Sequence, residues 1–272
     1  MNFFEQSLLD QALDQKYAFI KVGFQDHVLS ITLDRVEKKN ALHPHMVTEL
    51  AFAMQYAKTQ KDVWVVVLAS QGDVFCAGAD LKAFMGMVGE YDSSIPEVKE
   101  NILMGEIFNK VHKPVITKVE GKVFAGGFFF LAGATYVVCN EGVRLGLPEV
   151  KRGLYPFQVM AALINVMPKR QVIDWCIRGY DLDVQKAAEL GLVTHVSTPE
   201  NIDATIQGLI DDISANSPTA IRMGLEALDT ITEQSAEHKY LMEMLQKTIQ
   251  SKDGQEGLKA FREKRAPIWT GE

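Results

Sequence analysis

The hydrophobic period changes several times along the chain, and each change marks an element. Val28-Leu29-Ser30-Ile31-Thr32-Leu33 alternates apolar and polar positions, which predicts a half-buried strand. The twenty-odd residues before it predict only a loose helix or arm. Asp34 to Leu42, "DRVEKKNAL", is a charged loop, and Pro44 then suits the first turn of a helix. Met46, Val47, Leu50, Ala51, Met54 and Ala57 follow at helical spacing. Val63 to Ala69, "VWVVVLA", is a continuous β-branched run, the pattern of a strand covered on both faces. A turn-rich loop, "SQGDVFCAGADLKAF" (Ser70–Phe84), comes next. Leu103, Ile107 and Val111 mark another helix that Pro114 stops, and Val115 to Val119 reads as a strand. The recurrence of strand, loop, helix and strand predicts an α/β fold with parallel connections.

From about Ile202 the strand signals vanish. Ile206, Leu209, Ile210 and Ile213 share one helix face; Ala220, Ile221, Leu225 and Leu228 a second; Tyr240, Leu241, Met244 and Leu245 a third. The expected division is an α/β core over 1–200 and a helical region over 201–272, suited to docking or assembly.

At 272 residues and 47% apolar content, the chain can bury one large core. A net charge of −7 argues against nucleic acid as partner, because no basic excess is available to meet phosphates. Three scattered cysteines, Cys76, Cys139 and Cys176, are too few for a disulfide framework and read as reduced thiols in the cytoplasm. The opening residues carry acids early, with no basic region ahead of an apolar core, so no secretory signal is expected. Val123 to Asn140 is uncharged, but it contains three glycines and falls short of the ~20 apolar residues of a membrane span. A buried helix behind a glycine turn is expected there instead, and no membrane partner.

That stretch opens with "VFAGGFFFLAG" (Val123–Gly133). A strand, then Gly126-Gly127, then apolar residues would place a helix start just after the glycines, with unpaired N–H groups that suit an anionic oxygen. Turn chemistry alone also explains such glycines. A second small-residue loop, "FCAGADL" (Phe75–Leu81), again follows a buried strand, so two bare-backbone loops could each aim one N–H at a single oxygen.

"FCAGADLK" (Phe75–Lys82), "GKVFAGG" (Gly121–Gly127), "LGLPEVKRGLYP" (Leu145–Pro156) and the tail "FREKRAPIW" (Phe261–Trp269) together resemble the crotonase family of enoyl-CoA hydratases and isomerases. The resemblance spans roughly residues 20 to 269. It implies a spiral of ββα units, a C-terminal helical trimerisation region, a homotrimer or dimer of trimers, and an acyl-CoA thioester as substrate. No cofactor beyond that coenzyme A is implied. The oxyanion-binding N–H groups would be those of Ala79 and Gly126. Ala77, Ala79 and Leu81 would line the coenzyme A path, with Lys82 near its phosphates and Phe261 and Lys264 reaching a neighbouring subunit's coenzyme A. Lys38 and Lys39 are weaker candidates, since charged loops are mostly solvated.

One departure bears on the chemistry. The family's hydratases carry one glutamate on the helix after the glycines and a second twenty residues later. Here the second is Glu149, and the first position holds Phe129. A phenyl ring cannot hold or deprotonate water. A single glutamate beside an oxyanion hole can still move a proton α to a thioester, as the family's isomerases do. Expected is isomerisation of a 3-enoyl-CoA to a 2-enoyl-CoA, with Phe129 as a pocket wall. Hydration of a 2-enoyl-CoA, with Tyr155 as a borrowed second group, is one alternative, and another acyl-CoA reaction through an enolate, such as decarboxylation or thioester hydrolysis, is a second. A non-catalytic acyl-CoA-binding scaffold is an alternative of another class. Considered alone, "PEVKR" would make Glu149 a surface carboxylate paired with Lys151 or Arg152.

His43 and His45 lack the partners of a metal site, so none is expected. Ser70 sits in no nucleophile elbow, and no dinucleotide or P-loop glycine pattern occurs. Cys76 adjoins the first glycine loop, where a thiol could react or simply pack. Asp80 is expected to fix that loop through backbone N–H groups. Leu103, Met104, Phe108 and the loop Met85–Glu97 are expected to shape the acyl end.

Overall fold

A computed structural model describes residues 2–232 and 235–268. Ten strands appear in chain order: β1 (Ile20–Gln25), β2 (Val28–Leu33), β3 (Val65–Ser70), β4 (Val74–Cys76), β5 (Val115–Val119), β6 (Lys122–Phe124), β7 (Tyr136–Asn140), β8 (Leu145–Gly146), β9 (Asp181–Leu182) and β10 (His195–Ser197). They form a six-stranded sheet, β1-β2-β3-β5-β7-β10, and a four-stranded sheet, β4-β6-β8-β9. The chain visits both sheets on each turn: β3 then β4, β5 then β6, β7 then β8. Within each sheet these successive strands are parallel. This is the expected spiral of α/β character.

The strand patterns follow from position. In β2, Leu29, Ile31 and Leu33 are buried while Ser30 is exposed, as its alternation requires. The continuous run of β3 reflects a strand held between β2 and β5 with both faces covered. Val66 and Leu68 enter the main core, and Val65 points to a second cluster with Ile116 and Val138. Helix Ile202–Ser214 closes that second face with Ile202, Ile206 and Ile213. The helical C-terminal part thus begins as a covering layer of the sheet. It continues through Pro218–Thr232, Ser235–Gln250 and Lys252–Glu263. The side chains of Tyr240, Leu241 and Met244, expected to share a face, lie outside the described residues, as does Trp269.

Three expectations need correction. The amino-terminal arm contains a regular strand, β1, paired antiparallel to β2; its polar positions concealed it because it is the sheet edge. The loop Ser70–Phe84 contains β4 and a one-turn helix, Leu81–Phe84, both too short for a period to emerge. The stretch Val123–Asn140 is not one buried helix. It is the end of β6, a 3₁₀ turn (Ala125–Phe128), a single α turn (Phe129–Ala132) and β7. An apolar run cannot distinguish these, because each piece is buried for its own reason.

Candidate active site

Three neighbouring parallel strands of the small sheet end at the same edge. β4 ends at Cys76, β6 at Phe124 and β8 at Gly146, with Cys76 opposite Val123 and Phe124 opposite Gly146. Ala79 follows the first by three residues, Gly126 the second by two and Glu149 the third by three. Adjacent strands stand about 4.8 Å apart, so topology gathers three sequence-distant positions into one small region.

The loop Ala77–Asp80 is zipped to the segment Lys39–Leu42. Ala77 N donates to Lys39 O (3.0 Å), Leu42 N to Gly78 O (2.8 Å) and Asp80 N to Leu42 O (2.9 Å). A parallel bridge uses alternate residues, so the Ala79 N–H is left over. Among the described residues neither the Ala79 nor the Gly126 N–H has a protein acceptor. The two loops meet backbone to backbone. A side-chain carbon on Gly78 (φ +89°) would lie 2.6 Å from Ala125 Cβ and 3.1 Å from Gly126 N. Only glycine fits that conformation at that distance. Ala125 itself sits at φ +51°, a costly left-handed conformation just before Gly126.

Arg35 and Asn40 hold this arrangement, and the sequence reading missed both. Arg35 donates to Ala41 O (3.0 Å) and Asp80 Oδ2 (2.8 Å). Asn40, fully buried, donates to Gln71 O and Val74 O and accepts from Arg35 N. An asparagine within a charged loop was the only available hint. Asp80 caps helix Leu81–Phe84 by accepting from Ala83 N (3.2 Å), the backbone role expected of it. Burial works to raise the Asp80 carboxyl, but Arg35 and the loop N–H groups outweigh it and hold it below its usual range. Ala77 is half-buried; Ala79, Leu81, Lys82, Lys38 and Lys39 are exposed.

Glu149 opens the short turn Glu149–Arg152. The residue is half-buried, but its Oε2 is covered and has no hydrogen-bond partner. Burial pushes the carboxyl up to about 7; its own N–H and the charge of Arg152 oppose that in smaller measure. Among the described residues no ion pair joins Glu149 to Lys151 or Arg152. The surface-carboxylate alternative therefore fails. Beyond burial, the charge of Glu149 reaches the Cys176 thiol and helps to raise it, while Tyr155 Oη donates to Met160 Sδ (3.6 Å).

The three phenylalanines divide their work. Phe128 and Phe130 are fully buried, packing edge-on against Trp175 and against Phe75 and Phe108. Phe129 alone stays half-buried, on the single helical turn after Gly126. Phe261 lies 55% exposed, with the Arg152 guanidinium over its ring; Lys264 is exposed at the end of the same helix. Within one chain Phe261 is thus joined to the Glu149 turn.

Comparison with known proteins bears on the family and the fold. The family model described as enoyl-CoA hydratase/isomerase matches residues 23–272. An enoyl-CoA hydratase of Mycobacterium tuberculosis is 32% identical, covering 89% of this chain and 92% of its own. A mevalonyl-coenzyme A hydratase of Aspergillus fumigatus is 29% identical over 89% of this chain and 91% of its own. The crystal structure of a carnitinyl-CoA hydratase from Mycobacterium avium superimposes with a TM-score of 0.81 at 26% identity, covering 94% of this chain and all of the other.

Proposed function

The chain belongs to the enoyl-CoA hydratase/isomerase family, and on that premise we propose that it converts a 3-enoyl-CoA to a 2-enoyl-CoA using one glutamate. The covered, unpartnered Glu149 Oε2 carries this reading. A carboxyl near 7 is well matched to taking and returning a proton at neutral pH.

In this reading the thioester oxygen accepts from Ala79 N–H and Gly126 N–H. Glu149 removes a proton from the carbon next to the thioester, and charge develops on that oxygen as the dienolate forms. Two fixed donors in a site short of water favour this state. The same carboxyl returns the proton to the fourth carbon, so the double bond moves from C3–C4 to C2–C3. No water is consumed, and the Phe129 ring excludes it. Ala77, Leu81 and Lys82 would follow the coenzyme A, with Phe261 and Lys264 of a neighbouring copy reaching it. Met223 and Leu228, exposed on helix Pro218–Thr232, suit contact with further copies in a trimer or dimer of trimers. Three buried free thiols suit a cytoplasmic setting.

Hydration is the second reading, favoured because the relatives above are named hydratases. Glu149 would then share the water with Tyr155. The experiment gives the purified protein 3-hexenoyl-CoA and crotonyl-CoA in parallel and follows the absorbance of the conjugated thioester. A rise with the first, absent in Glu149→Gln, with little change in the second, is expected. A fall with crotonyl-CoA establishes hydration instead.

A further inference from the structure

Arg152 stands three residues after Glu149 on one short turn, within easy reach of an ion pair that it does not form. Its guanidinium carbon lies instead 4.5 Å from the centre of the Phe261 ring. Phe261 belongs to helix Lys252–Glu263, which is seated on the turn backbone to backbone. A methyl on Gly257 would collide with the Arg152 carbonyl, and one on Gly153 with the Asp253 carbonyl. The end of that helix is fastened as well. Arg265 donates to both carboxylate oxygens of Glu256 (2.6 and 3.0 Å), and Ile268 N donates to Glu256 Oε1 (2.9 Å). The position of Phe261 over Arg152 is therefore set by backbone contact.

We propose that Phe261 is a positioning residue that holds the Arg152 guanidinium off Glu149, so that the carboxylate keeps the proton affinity its work requires. This rests on reading Glu149 as the base. An opposite charge brought within ~4–6 Å of a carboxylate lowers its pKa by roughly one to three pH units. A base held that low would carry too little proton affinity to remove an α-proton near neutrality. The aromatic face gives the guanidinium a competing partner of the right charge distribution.

Among the described residues, two groups act on Glu149 from identified elements. Arg152 comes from its own turn, and the Cys176 thiol from helix Lys169–Arg178. From helix Lys252–Glu263, Asp253 meets Gly153 through its backbone carbonyl, and Glu256 is engaged by Arg265. Arg152 is the cation whose charge acts on Glu149.

The test is an infrared pH titration of ligand-free protein labelled with ¹³C-glutamate, with Glu149→Gln assigning the Glu149 band. In Phe261→Leu the midpoint moves down by about one pH unit, a tenfold change in proton affinity. The acid limb of kcat/KM for the 3-enoyl substrate moves with it. Phe261→Tyr, which keeps the aromatic face, keeps the original midpoint. Arg152→Gln moves the midpoint up, and adding Phe261→Leu to it changes nothing further. An unchanged midpoint in Phe261→Leu overturns the proposal. So does the same shift with Arg152 already replaced. The titration needs no substrate, so it is read independently of the reaction. Full turnover by Glu149→Gln would instead overturn the reading of Glu149 as base.

Discussion

A side-chain carbon on Gly126 would lie 3.6 Å from the Ala79 amide nitrogen, an ordinary contact, and 3.3 Å from Leu42 Cδ1, a mild one. Gly126→Ala is therefore expected to fold, since only the Leu42 methyl must give way. Its methyl would occupy the space beside the Ala79 N–H, where the thioester oxygen is proposed to sit. Turnover should fall about 10²–10³-fold with the melting temperature nearly unchanged. Wild-type turnover in a folded variant would show that the oxygen binds elsewhere.

Gly78→Ala should behave differently. Its added carbon meets Ala125 Cβ at 2.6 Å with φ at +89°. Both stability and activity are expected to drop, the former by about 1–3 kcal/mol. Denaturant unfolding measures this, and a loss below half a kcal/mol would contradict the close approach of the two loops.

The raised Glu149 carboxyl has a definite linkage sign. Between 4.5, its ordinary value, and about 7, the folded protein keeps a proton that the unfolded chain has released. Stability contributed by this group is whole below that window and falls as pH rises through it. Glu149→Gln should be more stable than the parent by about 3 kcal/mol at pH 8 and equal to it at pH 4. Thermal melts at the two pH values decide it; a uniform difference would mean the carboxyl is not shifted. Activity of the parent should rise with pH through about 7.

Phe129→Glu restores a carboxylate where the family's hydratases have one. It should add slow hydration of crotonyl-CoA, read as loss of conjugated-thioester absorbance. A folded variant without that activity would show that more than Phe129 separates this site from water addition.

All three thiols are buried, and burial pushes each up to about 12, with the charge of Glu149 adding to the effect at Cys176. Cys76 therefore packs rather than reacts. An aromatic disulfide reagent at pH 8 should leave the native protein unlabelled and titrate three thiols in denaturant. Fast native labelling would contradict this burial.

The sequence by itself determined the long elements and the chemistry available. The alternation in β2, the continuous run of β3 and the helix from Pro44 follow from local period, because burial on one or two faces writes itself into every second or every third and fourth residue. Four short motifs pointed to the family, and the numbering alone put Phe129 where a glutamate would stand. Tertiary structure decided the rest. β4, the turn after Gly126 and the helix Leu81–Phe84 are too short to carry a period; β4 forms because β6 pairs with it, and the helix because Asp80 caps it. The free N–H of Ala79 exists only because Leu42 pairs with the residues on either side of it. The separation of Phe129 from Phe128 and Phe130 depends on which neighbours each ring meets. Whether Glu149 is a paired surface carboxylate or a covered one is likewise set by packing rather than by its neighbours in the chain. Such contacts join residues distant in sequence, and no local pattern records them.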